Sequence, residues 1–154
     1  HVINPAMRQL PFDTVKDLSG ITILGVSNVL ISSTAAFPAS NLKELVEQVK
    51  KNPTKHAYAS PGSGSSMHFA MELLKQRAGL ELLHVPFKGS SPAIEAMMSN
   101  QINVIFDPFS TIYAQVKAGR VRGLAMTTKN RSDIAPELPT TLGRAAPALP
   151  SWSV

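Results

Sequence analysis

The chain contains no cysteine. Disulfides, thiol nucleophiles and cysteine-ligated zinc are therefore excluded, and the redox compartment stays open. Aromatic residues make up only 6% of the 154 positions. Nucleic-acid binders concentrate basic residues on one face and often interleave them with aromatics. No such stretch occurs here, and no nucleic acid is expected as a partner. The 15 Lys and Arg are dispersed, so the net charge of +5 describes a basic surface that steers anions weakly. No run of about 18 apolar residues exists, so no membrane-spanning helix is expected. The histidines and carboxylates are too scattered to suggest a metal site, and no cofactor is implied. His1 begins without Met and without a basic-then-apolar leader. An unprocessed secretory precursor is not expected, although a leader removed upstream is compatible with this start.

What is present is enough apolar residue, 44%, to bury a core, in a length that suits one domain or one lobe. Residues 1–20 are polar and irregular and read as an incoming arm. Ile21–Val26 and Val29–Ser32 read as strands split by Ser27-Asn28. Residues 41–51 place Leu42, Leu45, Val46 and Val49 on one helical face, with Asn41 and Glu44 in a capping-box pattern. Asn52-Pro53 ends that helix.

From there strands and helices alternate. Strands are expected at His56–Ser60, Leu82–Val85, Ile102–Phe106 and Arg122–Thr127. Helices are expected at Ser66–Ala78, closed by Gly79, at Pro92–Ser99 with Ser91 as cap and Pro92 at its first position, and at Phe109–Ala118. The tail from Pro136 is proline-rich, with one short helix expected near Thr141–Ala145. Alternation with short connections predicts an α/β fold, a mostly parallel sheet with helices on both faces. Ligands of such sheets sit at the carboxyl ends of strands. Three loops lie there, at 60–66, 86–91 and 107–108, and each leads into a helix N-terminus.

The first loop, Ser60-Pro61-Gly62-Ser63-Gly64-Ser65-Ser66, is rich in glycine and hydroxyls before a helix start. Unpaired N–H groups and the helix dipole make such a turn receptive to a carboxylate or phosphate. It lacks the lysine of a P-loop, and Met67 stands where a dinucleotide fingerprint needs its third glycine. Nucleotide binding is therefore disfavoured; a flexible turn without a ligand is the bland alternative. The second loop, His84-Val85-Pro86-Phe87-Lys88-Gly89-Ser90-Ser91-Pro92, repeats the pattern. Lys88 is either a surface lysine or a source of long-range attraction.

Ser66, His68 and Asp107 are the members a nucleophilic triad would need. No Gly-x-Ser-x-Gly elbow accompanies them, and spacing does not establish geometry. His68 is otherwise a residue that packs against or stabilises its loop. His56 and His84 read as core or surface residues. Asp107 is either a turn and helix-capping residue or an acceptor that lines a cleft, suited to an ammonium group or an ordered water.

These motifs resemble a known family. Tyr58–His68, His84–Ala93, Gln101–Asp107 and Lys117–Ala125, with Leu10-Pro11-Phe12-Asp13 and Leu138-Pro139-Thr140-Thr141, are similar to the Bug family. Its members are the TctC-like substrate-binding proteins of tripartite tricarboxylate transporters. The match spans nearly the whole chain. The resemblance implies one lobe of a type II periplasmic-binding-protein-like fold, with no catalysis. It implies a periplasmic receptor for a small carboxylate (a di- or tricarboxylate, amino acid or aromatic acid), with membrane transporter subunits as partners. Carried over by position, Ser60, Gly62, Gly64, Ser65 and Ser66 form one wall of the site, with His68 just inside the helix. Gly89, Ser90, Ser91, Pro92 and Ala93 form the next wall, and Asp107 completes it. Phe87 replaces the family's usual tyrosine, Pro108-Phe109 replaces a more polar pair, and Leu142–Ala145 departs from the expected motif.

Against that family the chain reads as a fragment centred on the second lobe. Residues 1–20 would be an arm and hinge from a first lobe, 21–135 the ligand-binding lobe, and 136–154 a return segment. Exposed hinge edges would make such a fragment prone to dimerise or domain-swap. The rival reading is a small α/β hydrolase-like or phosphate-handling enzyme domain that uses the Ser/Gly loop.

Overall fold

A computed structural model describes Pro5, residues 9–22, Gly25 and residues 27–141. Five strands form one sheet in the order β3-β2-β4-β1-β5. They are β1 (Val29–Thr34), β2 (Ala57–Ser60), β3 (Leu83–Pro86), β4 (Val104–Pro108) and β5 (Val121–Met126). The four helices are α1 (Leu42–Lys51), α2 (Ser66–Ala78), α3 (Ser90–Met98) and α4 (Phe109–Lys117). β2 runs parallel to β3 and β4. β1 runs antiparallel to both β4 and β5, so it alone opposes the other four strands. The sheet is thus mostly parallel in direction, with one reversed strand set between β4 and the edge strand β5.

Period-two alternation sorts the strands' side chains onto two faces. Ile31, Tyr58 and Phe106 pack with Leu42, Leu45 and Val49 of α1 and Met71 and Leu74 of α2. Their chain neighbours Leu30, Ala59 and Ile105 pack on the opposite face, with Ala93, Ile94 and Met97 of α3 and Ile112 of α4. Helices therefore cover both faces, as expected. All six residues of β1 are buried, which fits a central strand with helices above and below.

The helix ends follow local chemistry. The Asn41 side chain accepts from Glu44 N–H at 3.0 Å. Glu44 returns the favour one residue earlier than a capping box predicts, accepting from Ser40 N–H at 2.7 Å. Gly79 closes α2 in the left-handed region, at φ 62°, where a Cβ would be penalised.

Three expectations need correction, and a fourth falls outside the described residues. The strand expected at Ile21–Val26 is not found: Ile21, Thr22 and Gly25 are irregular, and Ile23, Leu24 and Val26 lie outside the described residues. α3 begins at Ser90, and its N-cap is Gly89 at φ 113°, not Ser91. Pro92 is tolerated at the third helical position because the first-turn N–H groups have no partner within the helix. β4 continues to Pro108, because the antiparallel β1 pairs Val29 with Pro108 and Leu30 with Asp107. Asp107 is therefore a strand residue. The helix expected near Thr141–Ala145 falls outside the described residues beyond Thr141.

Candidate functional site

The C-terminal ends of β2, β3 and β4 lie along one edge of the sheet, because the three strands are parallel neighbours. α2, entered from β2, covers one face, and α3, entered from β3, covers the other. The chain thus leaves β2 toward β3 and returns across it to β4. That reversal falls at the strand ends between the 60–66 turn and Asp107-Pro108, the place where open α/β sheets hold their ligands. The reversed β1 brings Asn28 to the same edge, where its carbonyl accepts from Phe109 N–H at 2.8 Å. Thr127, at the end of β5, donates its N–H to Val29 O at 3.0 Å there. These two residues were missed by motif reasoning. Their only sequence signal is a polar step beside an apolar strand.

The two glycine-serine loops lie side by side, joined as an extension of the β2–β3 ladder. Phe87 N–H donates to Ser60 O at 3.0 Å, and Gly89 N–H donates to Pro61 O at 3.1 Å. Gly64 holds φ 79°, which turns the chain back into α2 at little cost to glycine alone. Ser65 caps α2 by accepting from His68 N–H at 3.2 Å. The Ser66 hydroxyl faces Met67 Sδ at 3.2 Å. The backbone N–H groups of Ser66 and Met67 stand in the first turn of α2. Those of Ser90 and Ser91 stand in the first turn of α3, which has no side-chain cap. Gly62 and Ala93 bracket the two turns; Ala93 is buried beneath α3, and Pro92 is exposed at its rim.

Ser60 is fully buried. Its Oγ lies 2.7 Å from His84 Nε2 and donates to Gly62 O at 3.2 Å. His84 is stacked between two rings, His68 at 4.1 Å and Tyr58 at 4.8 Å. Gly64 N–H donates to His68 Nδ1 at 3.2 Å. The Tyr58 hydroxyl donates to Glu72 Oε1 at 2.5 Å, and Lys75 Nζ meets the same oxygen at 2.7 Å. Burial, then the charges of His68 and Lys75, hold His84 below its ordinary value against an opposing pull from Glu72. Burial and the Glu72 contact push the Tyr58 phenol up. Burial acts to raise Glu72, but hydrogen bonds from Lys75 and Tyr58 win and lower it. His84 is thus part of the loop's foundation, where its sequence context suggested only core or surface. Its position opposite Tyr58 in the parallel register puts it there. His56 sits at the far end of β2, edge-on to Phe37 at 5.1 Å.

Asp107 is fully buried. Its Oδ2 accepts from the Thr111 hydroxyl, and its Oδ1 has no hydrogen-bond partner among the described residues. Burial raises its carboxyl above the usual range, opposed by hydrogen bonding to Thr111 and Ser90. It therefore lies between the first turns of α3 and α4. Of the two readings of Asp107, the structure shows the helix-bracing one, through its contact with Thr111 in the first turn of α4.

The Ser66, His68 and Asp107 side chains are not assembled as a triad. His68 Nδ1 is occupied by Gly64 N–H, Ser66 faces a thioether, and Asp107 is bound to Thr111 instead. Among the described residues no group of three or more His, Asp or Glu could hold a metal ion.

The model of the tripartite tricarboxylate transporter family receptor, TctC, matches residues 1–152, and the chain belongs to that family. A UPF0065 protein of a Pseudomonas species is 31% identical over 146 residues, covering 95% of this chain and 43% of the relative. The solved periplasmic binding protein BugD is 32% identical with TM-score 0.73, covering 76% of this chain and 39% of that one. An R. palustris protein solved with adipate is 26% identical with TM-score 0.88, covering 95% of this chain and 49% of that one. The chain thus spans less than half the length of these relatives. No helix among the described residues is long and apolar enough to cross a membrane.

Proposed function

We propose that this chain is the ligand-binding lobe of a periplasmic receptor that captures a small carboxylate for a tripartite tricarboxylate transporter. The observation that carries the reading is the convergence of the 60–66 and 86–91 turns at one crevice. Both present helix N–H groups and hydroxyls at the strand ends. Backbone donors at helix N-termini bind a carboxylate without a basic side chain. Ser60, Gly62, Gly64, Ser65, Ser66 and His68 form or brace one wall, Gly89 to Ala93 the next, and Asp107 the floor. The BugD and adipate-bound relatives support the class.

In this reading residues 1–20 are the arm and hinge from a first lobe, 21–135 the binding lobe, and 136–154 the return segment. The arm's exposed Phe12, Val15 and Leu18, with the adjoining Ile21, are the surface that would meet the first lobe. A chain without that lobe would pair through it with a second copy. Closure of the two lobes on the ligand would be the signal read by the membrane subunits.

The test is titration calorimetry of the complete receptor with malate, adipate, aromatic acids and amino acids. Saturable binding of one carboxylate class without turnover is expected. Turnover of any ligand that Ser66→Ala abolishes would overturn the receptor reading in favour of a hydrolase-like domain.

A further inference from the structure

The 60–66 turn is held from below by two stacked rings. His84 reaches its first residue through Ser60 Oγ, at 2.7 Å from Nε2. His68 reaches its middle through Nδ1, which accepts from Gly64 N–H at 3.2 Å. The ring centroids are 4.1 Å apart and nearly coplanar in orientation, at 19°. Tyr58 closes the stack on the other side of His84, at 4.8 Å.

The two histidine contacts differ in how they respond to a proton. The Ser60 hydroxyl has Gly62 O as an acceptor and Gly62 N–H as a donor within reach, so its bond to His84 Nε2 persists whichever of the two donates, and a second proton on His84 leaves that bond in place. His68 is the opposite case. An imidazole nitrogen that accepts from an N–H carries no proton. Protonating Nδ1 removes the acceptor and sets an N–H against the Gly64 N–H. A second charge in the stack would also face the first across 4.1 Å, which opposes charging both rings at once.

The remaining charged and titratable groups around the pair are known. β2 contributes Tyr58, whose hydroxyl is tied to Glu72. α2 contributes Glu72 and Lys75, which are joined to each other at 2.7 Å. β3 contributes His84 itself. The Glu72 charge is shared with Lys75 and Tyr58, and it also interacts electrostatically with both imidazoles.

We propose that His68 and His84 are positioning residues for the ligand turn, and that acid releases the turn by protonating the His68 nitrogen that accepts from Gly64. The consequence for affinity rests on the receptor reading; the behaviour of the turn does not. In the receptor, carboxylate affinity falls as the pair takes up its protons, because the donors of Gly64 to Ser66 lose their fixed orientation.

The experiment is heteronuclear NMR on the full chain between pH 8 and pH 5. It reads the histidine ring nitrogens, the Gly64 amide, and protection factors for Gly62, Gly64 and Ser65 corrected for intrinsic exchange. In wild type, Gly64 protection is expected to fall roughly tenfold as the pair is protonated, the equivalent of one net hydrogen bond. His68→Asn keeps an acceptor near the Nδ1 position but takes no proton, so its Gly64 protection stays flat with pH. His68→Phe keeps a ring on His84 but offers no acceptor, so its turn behaves at pH 8 as the wild type does at pH 5. Protection at Gly64 that stays constant while the His68 ring titrates would overturn the proposal. If neither variant folds, the wild-type titration alone decides. A turn that responds as expected in a receptor that binds no carboxylate would uphold this inference and sink the receptor reading.

Discussion

Replacing Asp107 by Asn is expected to stabilise the fold increasingly as pH rises. Asp107 is fully buried, with one oxygen on Thr111 and the other unpartnered among the described residues. Burial is the largest influence on it and raises its carboxyl above the ordinary 3.8. A carboxyl raised by folding contributes most below its unfolded value, and the contribution is lost as pH climbs through the folded one. Between those two values the unfolded chain has released its proton and the folded chain has not. Each pH unit in that window costs wild type about 1.4 kcal/mol. Asn keeps the acceptor for Thr111 and has no proton to lose. It does leave an amide where Oδ1 stands, which adds a pH-independent offset. The difference, variant minus wild type, should be constant below about pH 4. It should then grow in favour of Asn with that slope, and level off once the folded carboxyl ionises. Urea melts of both proteins at unit intervals from pH 3 to pH 8 measure it. The lowered His56 and His84 act in both proteins and cancel in the difference. A difference that stays flat, or that shrinks as pH rises, would refute the argument that Asp107 is held against its burial cost.

Two further predictions concern the frame. Arg122 donates to the carbonyls of Phe37 at 3.2 Å, Ala39 at 2.9 Å and Ala35 at 3.3 Å, so Arg122→Met should cost about 3 kcal/mol in urea denaturation; a loss near zero would show that water replaces it. Gly64→Ala places a Cβ at φ 79° and should cost about 1–2 kcal/mol while weakening carboxylate binding in calorimetry; unchanged affinity would remove the turn from the site.

Most of the architecture was legible because it rests on local rules. Leu42, Leu45 and Val49 follow the helical period, and all three are buried. Asn41 and Gly79 announced the ends of α1 and α2, and both act there. Where local rules gave way, a distant strand was responsible. β4 runs on through Asp107 because β1 pairs with it. The strand expected at Ile21–Val26 had the right composition, but Ile21 is 98% exposed and lies in no strand among the described residues. α3 starts two residues early because Gly89 alone adopts the turn that ties it to Pro61.

The candidate site divides in the same way. The sequence by itself determined that two glycine-serine turns precede helices, that phosphate motifs are absent, and which family the motifs resemble. Those are properties of short, contiguous segments. Only the tertiary structure decided that the turns are stitched together, and that Asp107 lies between two helix starts. It also decided that His84, 24 residues from Ser60, supports the Ser60–Ser66 turn. The physical reason is register. His84 meets Tyr58, Ser60 and His68 because parallel pairing of β2 with β3 and the packing of α2 fix their heights along one sheet face. No spacing within a single segment encodes that alignment.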